Sequence, residues 1–187
     1  MAPINYLEEA QRTEFIAKKF EAVNYMMDIG SKMQATLGIN VQTWAVYVLE
    51  NFAGFDQATI TKLLSPAPAS ANVTYEPMGK TITFEQRETI NKAIQDNPKL
   101  QEAIQAIVAA DALIPTRSDS TCSSKVVNGV KIPSTESREF KTESIERATS
   151  VDKDCRERVA TESREKANRF KAELKKIADT TQKKFRD

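Results

Sequence analysis

Gly79-Lys80-Thr81 is one place in this chain where residue types and spacing suggest chemistry. A glycine, a lysine and a hydroxyl in that order end a phosphate-binding loop. That loop needs another glycine five positions before Gly79, and Thr74 stands there. No nearby glycine supplies the flexible backbone that wraps a phosphate, so the triplet reads as a turn. Asp152-Lys153-Asp154 opens like a calcium loop, but no glycine follows and no late glutamate falls in register. It reads as the solvated face of a helix. Asp119 stands alone among Ser and Thr. Asn72-Val73-Thr74 is a glycosylation acceptor pattern, meaningful only in a secreted protein.

The chain contains no histidine. That removes the side chain which most often moves protons near neutral pH, and with it Ser-His-Asp and Cys-His arrangements and His-containing metal sites. The two cysteines, Cys122 and Cys155, are too few for a disulfide framework or a Cys-based zinc site. The expectation for them is two reduced thiols. The alternative is a Cys122–Cys155 bridge pinning a loop to a helix, whose geometry sequence does not establish. The chain is therefore read as non-enzymatic, with no cofactor and no metal.

The elements around these residues are helical. Residues 5 to about 36 form one helix by periodicity. Ile16, Phe20, Val23 and Met27 follow 4-3-4 spacing and share a face. Gly30 bends or ends it, and Gly38 with Asn40 stops it. A broad apolar face runs from Val41 to Phe52. Asp56 caps a short helix carrying Ile60, Leu63 and Leu64. Thr83-Phe84-Glu85-Gln86 fits a capping box, and Asn97-Pro98 fits an N-cap followed by proline at the first helical position. Met26, Met27 and Met33 read as core. Two small β-hairpins are expected, one between Val73 and Thr83, the other around Asn128-Gly129, where Asn-Gly suits a type I′ turn.

The last third differs. Ser134 to Asp187 contains no Gly and no Pro, and carries 15 Lys or Arg against 12 Asp or Glu. An apolar stripe at 3- and 4-residue spacing, Ile145, Ala148, Val151, Cys155, Val159, Ser163, Ala167, Phe170, Leu174 and Ile177, marks a coiled-coil-like seam. Pairs such as Asp152–Arg156 and Glu165–Arg169, acid four residues before base, support an exposed helix. Fifty helical residues span about 75 Å, against a radius of gyration near ~13 Å for a domain of about 100 residues. Such a helix projects, pairs with another chain, folds back, or stays a charged tail.

These observations predict a mainly α protein: an N-terminal helical bundle over 1–114, an irregular loop with a short hairpin over 115–133, and a long charged amphipathic helix over 134–187. The leading expectation is a structural or adaptor subunit of a larger assembly, such as a virion or multi-protein machine. The protein-interaction residues are Ile145, Val151, Cys155, Val159, Phe170, Leu174 and Ile177, and the partners are other protein subunits, self or different. The alternative is a regulatory or chaperone-like module. It would hold a partner segment in a groove of the bundle, marked by an exposed patch of Trp44, Val48, Phe52 and Phe55. Nucleic acid is not expected, because acids interrupt the basic run and few aromatics accompany it. No apolar run approaches the ~18 residues of a membrane span, and no secretory signal is recognisable, so the chain reads as soluble.

Overall fold

The structure is a computed structural model that describes the backbone of residues 5–67, 82–113 and 138–186, and the side chains of 5–67, 82–112 and 150–182. Among the described residues there are six helices: α1 (Tyr6–Leu37), α2 (Val41–Asn51), α3 (Gln57–Leu64), α4 (Phe84–Gln95), α5 (Pro98–Leu113) and α6 (Arg138–Arg186). No strand occurs among them. Both expected hairpins lie outside the described residues, apart from Ile82 and Thr83, which are not strand.

The helix ends follow from local chemistry. Asn5 accepts from the Glu8 N–H at 3.1 Å to start α1, and Gly38, at φ 69°, takes the left-handed position that ends it. Asn40 caps α2 and Asp56 caps α3 through the N–H of Thr43 and Thr59. Thr83 and Gln86 close the capping box of α4. The Gln86 amide also donates to the Leu37 carbonyl at 2.8 Å, tying the start of α4 to the end of α1. Asn97 accepts from the Leu100 N–H at 3.1 Å, with Pro98 as the first residue of α5.

Gly30 does not end α1; the helix runs through it to Leu37. A Cβ built on Gly30 would overlap Trp44 Cδ1 and lie 2.7 Å from Trp44 Cγ. The missing side chain is thus the notch that seats the indole of α2. Trp44 Nε1 donates to the Met26 carbonyl at 2.8 Å, which satisfies the one polar atom that burying the ring would strand.

α1 is the central helix, and its buried residues do not share a single face. Val23, Met26 and Met27 join Trp44, Val48, Ile60, Leu64, Ile90, Leu100 and Ile107 in the larger core. Ile16 and Phe20 face a second, smaller cluster with Ala67, Cys155, Val159 and Ala160. Ile16, Phe20, Val23 and Met27 are all buried, as expected of residues that share a face, but the first two serve one cluster and the last two the other.

α6 lies antiparallel along α1. Asp28 pairs with Lys153 at 3.3 Å, Glu21 with Arg164 at 2.9 Å and Glu14 with Lys171 at 3.2 Å, while Tyr6 and Phe170 meet ring to ring at 5.9 Å. Of the four alternatives for this helix, folding back describes this stretch, which covers its own bundle. Beyond Leu174 the helix leaves that cover, and every residue from Lys175 to Gln182 is exposed. No helix among the described residues is long and apolar enough to cross a membrane.

Candidate functional site

The α1–α6 seam gathers the residues singled out in the sequence. Cys155 and Val159 are buried in the smaller cluster, with Val151 packed half-buried against it. Phe170 and Leu174 are half-buried, and Ile177 is 50% exposed. The side chain of Ile145 lies outside the described residues. The stripe therefore divides into a part covered by α1 and a free part that starts near Leu174.

At the covered part sits a polar node that periodicity did not reveal. The guanidinium of Arg156, 0% exposed, reaches three acceptors. Its Nε donates to Asn24 Oδ1 at 2.6 Å, Nη1 to the Leu64 carbonyl at 2.7 Å, and Nη2 to Met27 Sδ at 3.1 Å. Asn24 Nδ2 in turn donates to the Lys153 carbonyl at 3.4 Å. Leu64 is the last residue of α3, so its carbonyl is one of those a helix end leaves without an internal partner. The buried cation sits where the helix dipole is negative. One side chain thus joins α6 to α1 and to the end of α3.

Asp152 is wholly buried as well. The reading of Asp152-Lys153-Asp154 as a uniformly solvated face is corrected: Asp152 is inside, while Lys153 and Asp154 are exposed. The physical reason is position. Residues 152, 155, 156, 159, 160, 163 and 167 are all buried, a stripe wider than its apolar members. A charged pair at i,i+4 looks the same in sequence whether it lies inside or outside that stripe. Ser65, following Leu64, has a buried hydroxyl with no hydrogen-bond partner among the described residues.

Cys155 is disulfide-bonded, which corrects the expectation of two reduced thiols. The chain's other cysteine, Cys122, lies outside the described residues. Two lone cysteines in a chain give no spacing signal from which a bridge could be read.

Around the seam the electrostatics are those of a zipper. Glu14, Glu21 and Asp28 recur every seventh residue on α1, and each meets a cation of α6. Arg164 holds Glu21 in a two-pronged pair at 2.9 Å on both oxygens, which raises its pKa. The hydrogen bond from Lys171 holds the Glu14 carboxyl below its ordinary value. Exposed pairs of this kind contribute about 0–1 kcal/mol each; their regular spacing sets register more than it adds stability. Elsewhere on α1, burial pushes the Lys19 ammonium below the usual lysine range, opposed by Asp111.

The patch that would mark a groove in the bundle is not open. Trp44 and Val48 are fully buried, and only Phe52 and part of Phe55 reach the surface. Among the described residues, no group of three or more His, Cys, Asp or Glu is placed to hold a metal ion. Neither a family model, nor a curated protein, nor a solved structure matches the chain.

Proposed function

We propose that the protein is a non-enzymatic structural or adaptor subunit, and that it associates with other protein subunits through the free end of α6. The observation that carries this reading is the division of one stripe into two parts. Val151, Cys155, Val159 and Phe170 anchor α6 to α1. Leu174, half-buried, ends the covered part, and Ile177 continues the same stripe beyond it, 50% exposed on a helix that runs on to Arg186. A helix end of this length has little stability by itself. Its rigid continuation from an anchored half presents a preformed surface, which lowers the ordering cost of association. The groove-holding alternative would need the apolar surface that Trp44 and Val48 instead bury.

The test places a photo-crosslinking phenylalanine derivative at position 177 of the full chain, in cells that produce the protein. A discrete protein adduct is expected at 177 and not at the exposed control position Gln11 on α1. Irradiation that yields no adduct, or the same adducts at both positions, overturns the reading.

A further inference from the structure

We infer that the free end of α6 takes an acidic amphipathic helix of another protein, laid antiparallel to it in continuation of α1; this rests on the association role proposed above. The covered half of α6 shows what its stripe accepts. Val159 and the small Ala160 cluster with Ile16 and Phe20 of α1, and the small Ser163 and Ala167 are buried further along the same stripe. Small residues of this kind let two helices approach at about 8–10 Å. Along one flank, α1 offers a carboxylate every seventh residue, at Glu14, Glu21 and Asp28, to Lys171, Arg164 and Lys153.

Both features continue past the point where Tyr6 of α1 meets Phe170. Leu174, Ile177, Ala178 and Thr181 prolong the stripe at the same 3- and 4-residue spacing, again mixing large and small side chains. Lys175 follows Lys171 on the cationic flank. From 175 to 186 there are five cations, Lys175, Lys176, Lys183, Lys184 and Arg186, against Asp179, a net of +4. A helix that satisfied this end would repeat the seam face of α1, apolar in the middle with carboxylates on its edge.

The same features disfavour other occupants. A second copy's α6 end would bring +4 against +4. Over the same residues, 175 to 186, the sequence offers Ile177, Ala178 and Thr181 on this stripe and one aromatic, Phe185. That is too little apolar surface for a helix lying in a membrane interface, and one aromatic does not make a platform on which successive nucleic acid bases stack.

The experiment titrates full-length protein into a fluorescein-labelled peptide with the sequence of residues 8–28, the acidic seam face of α1, and follows anisotropy. Saturable binding that weakens with added salt is expected. Ile177→Glu lowers affinity about tenfold or more, and Lys175→Glu lowers it as well. Both positions are exposed, and circular dichroism confirms that each variant folds. The inference is overturned if the peptide does not bind, or if it binds Ile177→Glu unchanged, since the site would then be the displaced seam. It is overturned also if phosphatidylserine vesicles or oligo-dT bind with the Ile177 and Lys175 dependence that the peptide lacks. A full-length dimer dissolved by Ile177→Glu would put a second copy in the partner's place. Protein adducts at 177 without peptide binding remove the acidic helix and leave the association role standing; no adduct at 177 removes both.

Discussion

The two sides of α1 are held by different physics. Toward α2 to α5 the contacts are apolar and shaped: Trp44 fits over Gly30, and its single polar atom is satisfied by Met26. Toward α6 the cluster is small, and the contact is completed by a buried guanidinium, a buried carboxylate and three ion pairs at the rim. A core fixed by volume tolerates conservative apolar change but resists added atoms. A seam fixed by a charged node tolerates little change at the node, because each buried polar group left behind costs free energy. The bundle is therefore the scaffold, and α6 is fastened to it at specific points, with its far end left free.

The largest expected effect is at the node. Arg156→Ala strands Asn24 and the Leu64 carbonyl and leaves Asp152 buried without that cation nearby, for a loss of about 3–5 kcal/mol in urea denaturation. Arg156→Lys keeps the charge but cannot reach three acceptors from one planar fork, so it recovers only part of the loss. If Arg156→Ala unfolds at the wild-type urea concentration, the seam is not held by this residue, and the contrast between the two sides of α1 collapses. Next in size is the disulfide of Cys155. Reduction lowers stability by about 2–4 kcal/mol. It acts on the α6 side, so hydrogen exchange quickens in residues 150–170 before it does in α2. Equal quickening in both helices would mean that the two sides unfold as one unit.

These two effects mark where sequence reading ran out. Caps at Asp56, Thr83–Gln86 and Asn97–Pro98 were legible because each involves residues within one turn, whose backbone N–H groups need partners wherever the helix lies. The core placement of Met26 and Met27 was legible from periodicity. Arg156 was not, because an acid–base pair at i,i+4 suits a solvated helix equally well, and only Asn24, 132 residues away, makes it an inside pair. The fold-back of α6 was hidden for the same reason: its stripe would suit a foreign helix as well as α1. Gly30 looked like a breaker because the ring that needs its absent Cβ belongs to another helix.

Gly30→Ala tests the apolar side. Alanine favours helix over glycine by about 1 kcal/mol, so an exposed site would gain. Here the added methyl meets the Trp44 ring, and overpacking of this kind costs about 1–3 kcal/mol. The expected outcome is a net loss of stability, with a blue-to-red change in tryptophan fluorescence as the indole is pushed outward. A stabilised Gly30→Ala protein with unchanged fluorescence would show that the notch is loose, and that the apolar side is less tightly fitted than the seam.

The smallest effect is the dependence on pH, and its window separates the two sides, since stability rises with pH at both but in different ranges. At the seam, Lys171 holds Glu14 below its ordinary value of 4.5. The folded state then binds its proton less readily than the unfolded state. The resulting stability is fully present above about pH 4.5 and is lost as pH falls through the lower folded value. Away from the seam, burial lowers Lys19 from 10.5. The unfolded state binds that proton more readily, so stability rises as pH climbs through the depressed value toward 10.5. Glu14→Gln should flatten the acid limb of a stability–pH curve and leave the alkaline limb alone, while Lys19→Met should do the reverse. Glu14 is largely solvated and its pair is screened by salt. Its limb should therefore shrink at high ionic strength, while that of Lys19, which comes from burial, should persist. If both limbs shrink alike, Lys19 owes its shift to charge and not to burial, and it sits in a wetter place than its packing on α1 implies.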